Sequence, residues 1–200
     1  MRPVPHLLLW LAGLRQAETQ TTERERQVLA RYAAGCSRLV EVGVWHGVTT
    51  AVLRRAMAPD AVLWAVDPFP RGRLGFSAQR PIARRTVARI RRGTVEWIRE
   101  TGRAAGDHHR ARGLPPPEFV FLDAEHTYQA VMEDWRAWSP LVAPGGVVCI
   151  HDSVRTERLL DSGGIAAVAE ILERDPWFER AEVADTLTVL RRLAAPIARQ

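Results

Sequence analysis

Five short apolar runs along this chain stop abruptly on glycine, acidic or imidazole positions, and stretches with helical spacing separate them. Residues 38–43, 61–67, 95–99, 118–122 and 146–151 predict strands, and 48–57, 79–92, 127–138 and 165–174 predict helices. The helix at 127–138 carries Val131, Trp135 and Trp138 on one stripe, which predicts a core-facing side. Two further strands are expected near 178–184 and 186–192. The polar, proline-rich segment 106–117 is expected to be an exposed loop. Strands that alternate with helices, without an internal repeat, point to an α/β domain built on a parallel sheet.

Ahead of the first strand, His6–Leu14 is apolar but far too short to span a bilayer, and no small-residue cleavage pattern follows it. An amphipathic first helix, packed on the domain or on a second subunit, is expected there. A second helix follows, opened by Thr22-x-x-Glu25 as a capping box, with Val28, Leu29 and Tyr32 on one face. Residues 1–35 thus form a helical extension that caps the sheet edge, and 36–200 form the domain. The apolar face of 7–14 predicts a homodimer, and no membrane association is expected.

Composition changes this picture only a little. Two hundred residues suit one domain with a full core. The two cysteines, Cys36 and Cys149, each sit beside a predicted core strand and are read as small buried hydrophobes, which fits a reducing cytoplasm. All 28 basic residues are arginine, and the net charge of +5 permits an anionic partner without requiring one.

The strand ends carry the chemistry. In a parallel sheet, ligands bind outside the carboxyl ends of the strands. Phe119–Leu122 stops at Asp123, with His126 three residues on, and Val147–Ile150 stops at His151 and Asp152. If the two strands are neighbours, these four side chains meet on one rim, suited to a divalent metal, to general base chemistry, or to both. Asp123 alone would be read equally well as a helix N-cap. Upstream, Glu41-Val-Gly43-Val-Trp45-His-Gly47 reads as strand, glycine turn and helix start, a place where free amides favour a polar or anionic ligand group. The next strand ends at Asp67, the natural acceptor for ribose hydroxyls. The third glycine of the dinucleotide fingerprint is replaced by Thr49 and Thr50, which argues against a nicotinamide enzyme.

Together, Glu41-Val-Gly-x-x-x-Gly47-x-Thr-Thr, Asp67-Pro-Phe and Asp123-x-x-His126-x-Tyr128 through Gly145-Gly-x-x-x-x-His151-Asp152 resemble the class I S-adenosylmethionine-dependent methyltransferases. Within these the chain is most similar to small bacterial, metal-dependent O-methyltransferases of sugars and macrolide sugars. The resemblance covers roughly 36–190. It implies a doubly wound, Rossmann-like, mostly parallel seven-stranded sheet with helices on both faces and the last strand antiparallel. It implies S-adenosyl-L-methionine as cofactor, with Glu41, Gly43, Trp45, Gly47, Asp67, Glu100 and Thr101 around it. It also implies Mg²⁺, or another divalent ion such as Mn²⁺, on Asp123 and Asp152. His151 stands where many relatives have an acidic ligand, so it is a candidate third ligand, better suited to a transition ion. His126 and His151 are equal candidates for the general base. The expected acceptor is a hydroxyl of a sugar, an oligosaccharide or a glycosylated metabolite.

Arg71, Arg73, Arg80, Arg84, Arg85, Arg89, Arg91 and Arg92 form a dense basic region after the second strand. It reads either as a solvated helix face or as a recognition surface for an acidic acceptor. Two rival functions stay open: an RNA methyltransferase of the same fold, and a non-catalytic cofactor-binding partner. The first is weakened by the lack of a stacking-aromatic stripe or an appended RNA-binding domain, so a nucleic-acid partner is not expected. The second is weakened by the intact Asp123, His126 and Asp152.

Overall fold

The computed structural model describes residues 3–72, 75–157 and 159–197. Seven strands form one sheet: β1 (Arg38–Val42), β2 (Val62–Val66), β3 (Thr94–Ile98), β4 (Phe119–Leu122), β5 (Val147–Ile150), β6 (Phe178–Ala184) and β7 (Leu187–Arg192). Their order is β3-β2-β1-β4-β5-β7-β6. Strands β3 to β5 pair in parallel, and β7 is antiparallel to both β5 and β6. The sheet is therefore Rossmann-like, as the sequence implies. The chain leaves β1 toward β2 and β3, then returns to place β4 on the other side of β1. That reversal opens a crevice at the carboxyl ends of β1 and β4.

Period-two alternation divides each central strand between two apolar layers. Val40, Val42, Val120, Leu122, Val148 and Ile150 face α6 (Tyr128–Trp138) and α7 (Gly163–Arg174), where Trp135, Trp138 and Ile171 complete one core. Leu39, Leu63, Phe119, Phe121 and Cys149 face α2 (Glu23–Ala33) and α3 (Val48–Ala56), where Val28, Leu29, Leu53 and Met57 complete the other. Helix α2 is thus part of the domain core. Helix α1 (Pro3–Leu11) packs instead on α4 (Gln79–Ala88), with Leu7 against Ala78 and Ile82. The two N-terminal helices therefore separate rather than jointly cap a sheet edge. The capping box on α2 is present: Thr22 Oγ1 accepts the Glu25 amide at 3.1 Å and Glu25 Oε2 accepts the Thr22 amide at 2.7 Å. Leu8, Leu11 and Leu14 remain well exposed. No helix among the described residues is long and apolar enough to cross a membrane.

The first half of the loop expected at 106–117 is helical. Residues Gly102–Ala111 form α5, with Thr101 as N-cap accepting the Ala104 amide. Its buried face is Gly102, Ala105, Gly106 and His109, a helical spacing made of small residues that the polar composition conceals. Small size is required there, because a Cβ on Gly106 would lie 2.8 Å from the Ala137 Cβ on α6, and one on Gly102 would lie 2.4 Å from Asp134 Oδ1. The Trp138 indole N–H donates to the Gly102 carbonyl at 2.9 Å and locks the two helices together. Both cysteines are unpaired, and Cys149 is fully buried in the second core. Gly106→Val should overpack the α5–α6 contact and lower stability by about 1–3 kcal/mol. A urea midpoint equal to that of the parent would refute this packing.

Candidate active site

The glycine turn is organised by Asp67. Its Oδ2 accepts the Val44 and Trp45 amides at 3.0 Å each, and its Oδ1 accepts the Phe69 amide at 2.7 Å. Three amides on one carboxylate hold the turn open without help from any ligand. Gly43 takes φ 94°, and a Cβ there would sit 2.1 Å from the Asp123 carbonyl oxygen. Only glycine lets the end of β1 approach the end of β4 so closely. Gly47, at φ 73°, is the N-cap of α3 and offers no side-chain cap, which leaves first-turn amides free for a polar ligand group.

Gly43, Trp45, Asp67, Thr101, Asp123 and His126 all line one cleft of about 600 Å³. Gly47 shapes the turn without lining it. Two expected cofactor contacts lie elsewhere. Glu41 is fully buried beneath the turn on the α3 side, and neither carboxyl oxygen has a hydrogen-bond partner. Burial, with the Asp123 and Asp67 charges adding to it and the Thr50 hydroxyl opposing, drives its pKa well up. Glu100 turns away to His108 Nδ1 at 2.8 Å.

Behind Asp123 lies a chain of acids and imidazoles. His151 is almost wholly buried. Its Nδ1 lies 2.9 Å from Asp123 Oδ1 and 3.5 Å from Asp152 Oδ1, as ion-pair contacts, and its Nε2 lies 3.3 Å from Glu25 Oε2. Burial alone would lower the His151 pKa, but Asp123, Glu25 and Asp152 overturn that and raise it to about 10. Burial alone would likewise raise the Glu25 pKa, yet His151 and the Thr22 and Thr186 donors bring it down to about 2. His151 is therefore an imidazolium at neutral pH, with both nitrogens facing carboxylates. The same Nδ1 thus faces Asp123 and Asp152, the two other expected ligands, from behind the cleft. His126 differs: its side chain is 40% exposed on the cleft, and its Nδ1 lies 3.6 Å from Asp152 Oδ2. Asp152 holds this position from a left-handed backbone, φ 49°, unusual for a non-glycine residue.

Sequence reading missed two walls of the cleft. Ala130, Glu133 and Asp134 reach it from α6 at helical spacing, and Asp134 has its pKa raised to about 6, by burial first and by Glu133, against the Arg103 amide. Their spacing was visible but was absorbed into the tryptophan stripe. Glu18, Thr19 and Gln20 reach it from the N-terminal segment. That segment is pinned by His6, which lies 3.3 Å from Glu18 and stacks on His46 at 4.7 Å, and by the Glu18 amide, which donates to His46 Nδ1 at 3.1 Å. Burial, with His6 adding to it, depresses the His46 pKa to about 4, so that ring stays neutral. Among the described residues, the three ligand-type atoms that converge within 4.8 Å belong to His6, Glu18 and His46, and not to Asp123, His151 and Asp152. Arg73 lies outside the described residues.

A glycine turn tied to an acid at the end of β2, facing an acid–imidazole rim across a switch point, defines a nucleoside-cofactor enzyme of the doubly wound class. Residues 40–153, more than half of the chain, match the methyltransferase-domain family, and the chain belongs to it. Its fold is shared by an O-methyltransferase of Streptomyces achromogenes, TomG, involved in tomaymycin synthesis and solved in complex with SAM. That protein is 16% identical, covers 97% of this chain and 91% of its own, and has a TM-score of 0.70. An O-methyltransferase from Bacillus cereus in complex with SAH is 14% identical over 96% of this chain and 91% of that one, with a TM-score of 0.64. A putative rRNA methylase from Clostridium thermocellum is 12% identical over 88% and 100%, with a TM-score of 0.60. No functionally curated protein matches the sequence.

The buried ion pair should be visible in stability. The raised His151 pKa contributes stability that is complete below about pH 6.5 and is lost as pH rises through about 10, and the lowered Glu25 pKa contributes stability that is lost as pH falls from about 4.5 toward 2. Glu25→Gln should destabilise the protein by about 3 kcal/mol near pH 6 and flatten the decline between pH 7 and 10. Urea unfolding across pH checks this; an unchanged alkaline decline in the variant would contradict it.

Proposed function

We propose that this methyltransferase transfers the methyl group of S-adenosylmethionine to a hydroxyl oxygen of a sugar, an oligosaccharide or a glycosylated metabolite. The observation that carries the oxygen acceptor is His126, an imidazole on the cleft with a carboxylate at its back. An alcohol is a poor nucleophile at neutral pH and must lose its proton as it attacks, whereas amines and thiolates need less help. Asp152 beside Nδ1 favours the tautomer protonated there, which leaves the Nε2 lone pair to take the hydroxyl proton. The sulfonium cofactor supplies the methyl group and leaves as a neutral thioether.

The residues present fit that cofactor. The Gly43 turn admits close approach, the first turn of α3 lacks a side-chain cap, and Asp67 keeps further acceptor capacity for ribose hydroxyls beside its three amides. The acids on the cleft, Glu18, Asp67, Asp123, Glu125 and Glu133, favour a sulfonium cation and offer acceptors to a polyhydroxylated ligand. A divalent ion belongs to the same reading. Asp123 and Asp152 would be its ligands, since one or two carboxylates are what Mg²⁺ commonly takes from protein, with water and substrate oxygens for the rest, and a transition ion would accept His151 as well. Such an ion would acidify a coordinated hydroxyl.

Calorimetric titration of S-adenosylhomocysteine, with Mg²⁺ and with chelator, tests the cofactor. Asp67→Ala should weaken binding by roughly tenfold or more, since it removes a charged acceptor and the support of the turn. In methyl-transfer assays on sugar acceptors, His126→Gln should lower kcat by about 10²–10⁴ while leaving cofactor affinity near that of the parent. Full turnover in His126→Gln would end the base assignment, and no homocysteine-adduct binding in either condition would end the methyltransferase mechanism.

A further inference from the structure

A second basin adjoins the cleft and has the opposite charge. Pro70 and Gln79 line the cleft, and the residues that follow them, Arg71 and Arg80, line a concavity of about 690 Å³ shared with Ser77, Arg84 and Arg99. Among the described residues no acidic side chain lines it. Among the described residues none of these four arginines pairs with a carboxylate; Arg84 instead lies over the Trp97 ring, 5.6 Å from its centroid. Two donor atoms of its lining residues, Arg80 Nε and the Ser77 hydroxyl, are buried and without a hydrogen-bond partner among the described residues. Buried donors are rarely left unpaired, so unmatched ones beside unpaired cations point to a missing anion. The N-cap of α4, Ala78, brings no side-chain hydrogen bond, so the positive end of that helix adds to the same field.

We propose that this basin binds a phosphoryl group carried by the acceptor, so that the substrate is a phosphorylated or diphosphate-linked sugar. The proposal rests on the methyltransferase reading of the cleft and narrows its substrate class. Four guanidinium groups exceed what a single carboxylate can neutralise, and they match the charge and the forked geometry of a phosphate or diphosphate. The division of charge between the two cavities sets the orientation. The acidic cleft repels phosphate and accepts the sulfonium and the sugar hydroxyls, while the arginine basin, at the β2–β3 side of the same cleft, takes the phosphate. A concave basin of limited size favours this over a nucleic-acid track, which needs an extended basic surface with stacking aromatics.

Calorimetry with inorganic pyrophosphate as the probe tests the site, with S-adenosylhomocysteine titrated in parallel. Arg80→Gln with Arg84→Gln should weaken pyrophosphate binding roughly tenfold or more, Arg71→Gln alone should weaken it less, and Arg180→Gln, on the exposed face of β6, should leave it unchanged. Cofactor-product affinity should be the same in all of them, which also shows that the variants are folded. In transfer assays, sugar phosphates should show a lower KM than the matching free sugars, and the double variant should erase that difference. The proposal is overturned if the parent does not bind pyrophosphate, if Arg180→Gln weakens binding equally, or if free sugars are preferred. It is also overturned if single-stranded RNA binds more tightly with each added nucleotide and displaces pyrophosphate. Pyrophosphate binding without S-adenosylhomocysteine binding would keep the anion site and remove the methyltransferase reading instead.

Discussion

The close approach of the Gly43 backbone to the Asp123 carbonyl governs the rest of this site. It closes the gap between β1 and β4 at the switch point, so the glycine turn and the rim that carries the acids and imidazoles become two sides of one cleft. The φ of 94° at Gly43 and the three amides on Asp67 are both parts of that arrangement. Any side chain at position 43 would separate the two strand ends by at least its own thickness, and every distance across the cleft would change with it. Preorganisation is bought here with backbone geometry, before any ligand arrives.

Electrostatics give the rim its division of labour. A crowd of carboxylates, Glu25, Asp123 and Asp152, gathers around one buried imidazole, His151, while burial and the charges of Asp123 and Asp67 push the pKa of Glu41 well up. The result separates two histidines that look equivalent in sequence. His151 is buried between acids that raise its pKa, whereas His126 stands partly exposed on the cleft beside a single acid. The helix α2 takes part through Glu25, which serves its own N-cap and the rim at once.

Much of this architecture was legible in the chain. Strands that end on functional residues are readable because burial on both faces makes them continuous apolar runs, and the Thr22–Glu25 box is readable because its chemistry is local. Helix α5 was not legible: its buried face is glycine and alanine, and its exposed arginines and histidines dominate any pattern count. The partner of His151 was not legible either, since Glu25 stands 126 residues away and belongs, on local grounds, to a helix cap. Nor did Glu100 follow its strand-end position, because α5 supplied His108 as a nearer partner. Local rules see caps and periodicity; they do not see which distant charges a fold brings together.

The N-terminal segment has a consequence of a different kind. Glu18, Thr19 and Gln20 form part of the cleft wall, yet they hang from the rest of the protein by a stack of His6 on His46 and by the contact of α1 with α4. Glu18, Thr19 and Gln20 themselves precede the first strand, while their anchors, His46 and α4, belong to the crossovers. Evolution, or an engineer, can therefore exchange this strap for another of different length and polarity and so change which molecules enter, while the machinery at the strand ends stays untouched. One wall of the cleft is thus carried on a piece of chain that precedes the sheet.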